Sequence, residues 1–180
     1  MTESAPPPSD VPPSAEAVRI AYFISSYGSG AQLLRLVLTL RHAEPDSPIV
    51  IRHDVFQNKL DPDLFANVDQ VYVLAGDQPI TWGDMTLEAA RWSVFRWILT
   101  HLDVDWVVLL SEQDYPIRPL SELRQQIVDS RADALLVGER VDHIADPELR
   151  REFELRYFYN YTSLPNIGLE RRMPRPIQAA

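Results

Sequence analysis

The 180-residue chain contains no cysteine. Disulfides, thiolate nucleophiles and cysteine-ligated zinc are therefore excluded. Positive charge is scarce as well: 17 Lys and Arg stand against 26 Asp and Glu, a formal net charge of -9. Such a surface repels phosphate backbones, which argues against nucleic acid as a partner. The one dense basic run, "GLERRMPRPIQ", sits beside prolines near the C-terminus and reads as a solvated tail. No window reaches the roughly 18 apolar residues that a membrane span needs. The opening "MTESAPPPSDVPPSAEA" lacks both the basic start and the apolar core of a signal peptide. A soluble, cytoplasmic protein is the expectation.

What is present is globular: 46% hydrophobic and 24% charged residues, enough for one domain with a core. Residues 1–17 are too poor in apolar side chains to fold and are expected to be disordered. Residues 18–165 form the expected domain, and 166–180 an irregular tail.

Within the domain two periods alternate. "VRIAYFI" (18–24), "PIVIRH" (48–53), "QVYVL" (70–74), "DWVVLL" (105–110) and "DALLVG" (133–138) are short apolar runs of strand type. Between them lie helical patterns. "AQLLRLVLTLR" (31–41) places Leu33, Val37 and Leu40 on one face. "TLEAARWSVFRWILTHL" (86–102) turns Leu87, Ala90, Val94 and Trp97 inward, with Asp84 or Thr86 as its cap. "SELRQQIVDS" (121–130) has Ser121 as a natural N-cap. A last helix over 146–161 opens with Asp146 and then Pro147. This alternation predicts an α/β fold: a mostly parallel sheet flanked by helices.

In open α/β sheets ligands bind beyond the carboxyl ends of the strands. Four segments occupy that position. "YGSGAQL" supplies Gly28 and Gly30, but Leu33 stands where a dinucleotide fingerprint needs its third glycine. The segment is either a flexible turn or a loop that approaches a nucleotide; a nicotinamide enzyme is disfavoured. "IRHD" ends on His53, a base, a ligand or a surface residue, and on Asp54, placed where an acidic residue often accepts hydrogen bonds from a ribose or base. "TWGDM" carries Trp82, a helix-entry staple or an aromatic wall. "SEQDYP" pairs Glu112 with Asp114, with the spacing of a metal pair, a catalytic pair or a polar turn; Pro116 keeps Tyr115 out of helical geometry.

In this order the segments resemble the core-2/I-branching β-1,6-N-acetylglucosaminyltransferase family, which includes the peptide O-xylosyltransferases. The resemblance is carried by "AYFI", "QLLRLV", "VIRHD", "ITWGDMTLEAA" and above all "LLSEQDYPIRPLSEL". The later "GERVDHIADPELRREFELRYFY" is similar to the family's acceptor-side segment. The resemblance implies a GT-A-like, Rossmann-like fold and a UDP-sugar donor. It also implies inverting transfer of N-acetylglucosamine or xylose to an acceptor hydroxyl, with no metal or other cofactor. It places Asp54 at the uracil position and Tyr27, Trp82, Glu112 and Asp114 around the donor. Glu139 and Arg156 fall on the acceptor side. Arg52 departs from the pattern, standing where many members have His. The family domain is longer, so the resemblance covers roughly its nucleotide-binding half and leaves the catalytic base unassigned. The alternative implied is a non-catalytic remnant that binds a nucleotide-sugar or a partner.

Overall fold

A computed structural model describes residues 14–81, 84–136, 138 and 140–158. The chain divides after Asp133 into two compact units.

The first unit is built on four parallel strands: β1 (Ile20–Ser26), β2 (Ile49–His53), β3 (Val71–Ala75) and β4 (Trp106–Ser111). Their order is β3-β2-β1-β4. The chain moves outward from β1 to β2 and β3, then returns across β1 to place β4 on its other side. β1 and β4 are therefore the strands between which the winding reverses. The expected α/β class with a parallel sheet is what is found.

Three helices cover the sheet: α1 (Gly30–Ala43), α2 (Met85–His101) and α3 (Leu120–Ser130). Strand alternation gives each face its own core. Tyr22, Ile24, Ile49 and Ile51 pack with Leu33, Leu36, Val37 and Leu40 of α1 and Ile127 of α3. Ala21, Phe23 and Val50 pack on the opposite face with Val94 and Ile98 of α2. The inward face of α2 is centred on Val94 and Ile98, with Leu87, Ala90 and Trp97 half-buried. Phe95 meets Phe23 edge-on at 5.5 Å.

The helix ends follow local chemistry. Asp84 caps α2 by accepting the Thr86 N–H at 2.9 Å. α3 begins one residue earlier than expected, with the extended Pro119 at the N-cap, so Ser121 lies inside the first turn. Arg131 ends α3 in the left-handed region, φ 49°. A half-buried ion pair joins the buried Glu44, at the end of α1, to Arg124 of α3. The same arginine donates to the Val18 carbonyl at 2.5 Å, which ties the start of β1 to both helices. At that start Arg19 forks onto Asp105 through Nε and Nη2, at 3.1 and 2.8 Å. This pair clips β1 to β4. Ser14–Ala17, at the end of the segment expected to be disordered, form a turn closed by Ala17 N–H to Ser14 C=O at 2.9 Å.

The second unit contains a 3-10 turn (Val141–His143) and helix α4 (Pro147–Phe158). Asp146 caps α4, accepting from Glu148 N–H at 2.9 Å and Leu149 N–H at 3.3 Å. The fifth strand expected over 133–138 is not formed among the described residues: Ala134–Leu136 belong to no strand, and Leu136 is 89% exposed. An apolar run becomes a strand only where a neighbouring edge takes its hydrogen bonds, and periodicity does not reveal that edge. No helix among the described residues is long and apolar enough to cross a membrane.

Candidate functional site

β1 and β4 lie side by side in register, Ser25 opposite Ser111, and their carboxyl ends open into one cleft of about 600 Å³. Ser25, Ser26 and Tyr27 line it from β1; Ser111, Gln113 and Asp114 line it from β4. Asp54 closes it from the end of β2, and Ile80, Leu87 and Arg91 from the β3–α2 side. The cleft sits where the winding of the sheet reverses, the position at which open α/β sheets take ligands.

Its walls are fixed by carboxylates. Asp54 is buried, with Oδ1 accepting the Phe56 N–H at 3.1 Å and Oδ2 the Ile80 N–H at 3.2 Å. Its own N–H donates to the Ser26 carbonyl at 2.8 Å. One residue thus joins the ends of β1 and β2 to the wall carried by Ile80. Asp114 folds the turn after β4: Oδ2 accepts the Ser111 N–H at 2.6 Å, and the Asp114 N–H returns to the Ser111 carbonyl at 3.0 Å. Asp114 is exposed on the cleft.

Glu112 points elsewhere. It is buried and is not among the residues lining the cleft. Its Oε2 accepts the Ser26 hydroxyl at 2.6 Å, the Tyr27 N–H at 3.2 Å and the Gly28 N–H at 3.1 Å. The Glu-x-Asp spacing therefore does not make a chelating pair: one carboxylate turns into the β1–α1 loop and the other into its own turn. No group of three or more metal-ligating side chains occurs among the described residues.

The same contacts order the "YGSG" loop. Two of its N–H groups, those of Tyr27 and Gly28, serve Glu112. Gly28 is required because a Cβ there would run into the Glu112 carboxylate. Leu33 is fully buried in the core. Through Tyr27 the loop is a wall of the cleft.

Ser26 also meets His53, Oγ to Nδ1 at 2.9 Å, and His53 Nε2 lies 2.8 Å from the Asn58 carbonyl. That carbonyl only accepts, so Nε2 carries a proton. Asn58 in turn donates to the Tyr27 carbonyl at 2.7 Å, and Gln113 donates to the Tyr27 hydroxyl at 2.8 Å. Arg52, on the other face, is buried and donates to the His53 carbonyl at 2.6 Å, against Gly76.

Of the residues expected at the site, Tyr27, Asp54 and Asp114 meet on the cleft, while Glu112 stands behind it. Trp82 and Glu139 lie outside the described residues, as does the side chain of Arg156 in α4. Sequence reasoning weighed His53 without assigning it to the site, and it missed Ser26, Gln113 and Arg91. Arg91 left a signal: with Leu87 and Val94 it falls on the inward stripe of α2, where a cation interrupts apolar positions.

A comparison with curated proteins gives no match. The family model described as Core-2/I-Branching enzyme matches residues 20–173. That span covers both the strands that build the cleft and the turn containing Asp114, and it is most of the chain. The chain therefore belongs to the Core-2/I-Branching enzyme family, a family of glycosyltransferases.

Proposed function

We propose that the cleft between β1 and β4 is the donor site of an inverting glycosyltransferase. The donor is a UDP-sugar carrying N-acetylglucosamine or xylose, and the acceptor is a hydroxyl of a glycan or similar molecule. The observation that carries this is the position of the cleft at the β1/β4 reversal, in a chain of glycosyltransferase family. Its walls suit a nucleotide. Tyr27 offers a half-exposed ring for stacking on a base. Each Asp54 oxygen accepts one backbone N–H and keeps a lone pair for a donor such as a uracil N–H. Asp114 Oδ1 has no hydrogen-bond partner among the described residues and is available to a hydroxyl of the donor sugar.

Transfer without a divalent metal is part of the proposal. It is supported by the diverging side chains of Glu112 and Asp114, which leave no shared ligand position. Glu139 and Arg156 remain proposed acceptor-side residues on the family resemblance alone.

Calorimetric titration of the full chain with UDP tests the donor site. Saturable heat at submillimolar to millimolar UDP is expected, weakened about tenfold by Asp54→Ala. No heat at millimolar UDP refutes the proposal. A second reading, binding without catalysis, is favoured by one observation: both carboxylates that line the cleft are tied to backbone N–H groups of their own walls. UDP binding with neither sugar transfer nor UDP-sugar hydrolysis would establish it.

A further inference from the structure

Helix α2 has a second surface, on the side turned away from the sheet. Val94 and Ile98 face the core and are fully buried. Met85, Trp92 and Leu99 stand on the opposite side, 74%, 68% and 74% exposed. Among the described residues they are the three most exposed large apolar side chains on any helix. Each lies seven residues from the next, close to two helical turns, so the three form one stripe along the helix. Single exposed apolar side chains are ordinary on a protein surface, whereas a continuous apolar stripe marks a surface that meets another.

We infer that this stripe joins two copies of the chain, α2 against α2, antiparallel about a two-fold axis at Trp92. The inference does not depend on the donor-site reading. The stripe is symmetric about its centre: Met85 and Leu99 lie equally far from Trp92 along the helix, and so do Glu88 and Arg96. Antiparallel pairing therefore sets Trp92 on Trp92, Met85 by Leu99, and Glu88 level with Arg96. Each unlike pair forms twice, as a two-fold contact requires. A parallel pair would instead bring Glu88 level with Glu88 and Arg96 level with Arg96, like charge against like. The charges are free to pair across the contact. Arg96 is exposed and makes no ion pair among the described residues. Glu88 holds Arg91 through Oε1 at 2.6 Å, which leaves Oε2 for a second cation. Over α2 two arginines stand against one glutamate, in a chain of net charge -9. Two acidic copies can thus approach through this helix without the repulsion that the rest of their surface imposes. Trp92, at the centre, supplies the large buried ring on which such contacts depend.

The test is sedimentation velocity of the full chain over a dilution series. One helix face per copy makes a small interface, so a species of twice the chain mass is expected near 100 μM, in order of magnitude, that dissociates on dilution through the micromolar range. Trp92→Glu places a charge against its own copy at the axis and should weaken the dimer about a hundredfold or more. Arg96→Glu, on an exposed position, should weaken it about fivefold to tenfold, and adding Glu88→Arg to it should recover most of that loss. The charge exchange leaves the apolar stripe intact, so it judges the inference even where Trp92→Glu folds poorly. A chain that stays single at the highest concentration has its stripe covered by its own residues or left to another protein, and overturns the inference. So does a dimer that Trp92→Glu leaves unchanged, a charge reversal that the second exchange does not repair, or association that continues beyond two copies.

Discussion

Glu112 and His53 face each other across the Ser26 hydroxyl, which lies 2.6 Å from the carboxylate and 2.9 Å from the imidazole. Two hydrogen bonds run through an oxygen that has one proton to give. The second proton comes from the ring or from the carboxyl group, so the trio is a single proton-sharing unit. Three strand ends, β1, β2 and β4, are fastened by it.

Glu112→Ala removes the acceptor for the Ser26 hydroxyl and for two loop N–H groups together. We expect a loss of about 3 kcal/mol in urea unfolding, because buried donors are left unpaired. Ser26→Ala, which breaks only the bridge, should cost about 1 kcal/mol less than that. Equal or negligible losses would show that the trio does not hold the loop.

Gly28, in the β1–α1 loop, and Gly30, the first residue of α1, predict different outcomes. At Gly28 a Cβ meets the Glu112 carboxylate, which three donors hold in place; Gly28→Ala should destabilise by about 2 kcal/mol. At Gly30 a Cβ meets the free end of Leu64 at 2.8 Å, which can rotate away. Gly30 opens α1, so alanine gains there only part of the roughly 1 kcal/mol of a helix interior, and Gly30→Ala should lie within about 0.5 kcal/mol of the parent. Thermal and urea unfolding of the two variants checks the contrast.

Arg19 holds the Asp105 carboxyl below the ordinary carboxylate range, first through the side-chain hydrogen bond and then through the Arg19 backbone N–H. A carboxyl depressed on folding stabilises the native state above its unfolded-state pKa, and that stability is lost as pH falls through the depressed value. Asp105→Asn should therefore be less stable than the parent at neutral pH, with the gap closing in acid. A gap that persists unchanged in strong acid would mean that the hydrogen bonds, not the charge, carry it.

Arg131 occupies a left-handed C-cap where a side chain is strained. Arg131→Gly should raise stability by about 0.5–1 kcal/mol, measurable as a higher denaturation midpoint at unchanged slope.

On the ligand side, Tyr27→Ala removes the ring and should weaken UDP about tenfold, the scale of one base–aromatic stack. Tyr27→Phe keeps the ring and loses only the Gln113 link, so binding should stay within about twofold. The two affinities, compared by titration, separate stacking from hydrogen bonding.

The four central strands and their helices were legible because burial writes periodicity into the sequence. The ends were less so. β1 runs on through Ser25 and Ser26, which pair with Arg52 and His53, although hydropathy stops at Ile24. That small extension is where the site begins. Asp54 and Asp114 could be named from their place at strand ends. The destination of Glu112 could not, because it depends on β4 lying beside β1 rather than beside β3, and strand order leaves no local trace. "DALLVG" shows the converse: a run of strand type without a paired edge to make it one.

Tyr27 is held at three points: its N–H by Glu112, its carbonyl by Asn58 and its hydroxyl by Gln113. A side chain so fixed has little freedom left to lose. The ordering that recognition ordinarily demands was completed when the chain folded, so a base arriving at this ring meets a finished surface. Association here should resemble the docking of two rigid bodies, its rate set by encounter and orientation rather than by rearrangement of the β1–α1 loop.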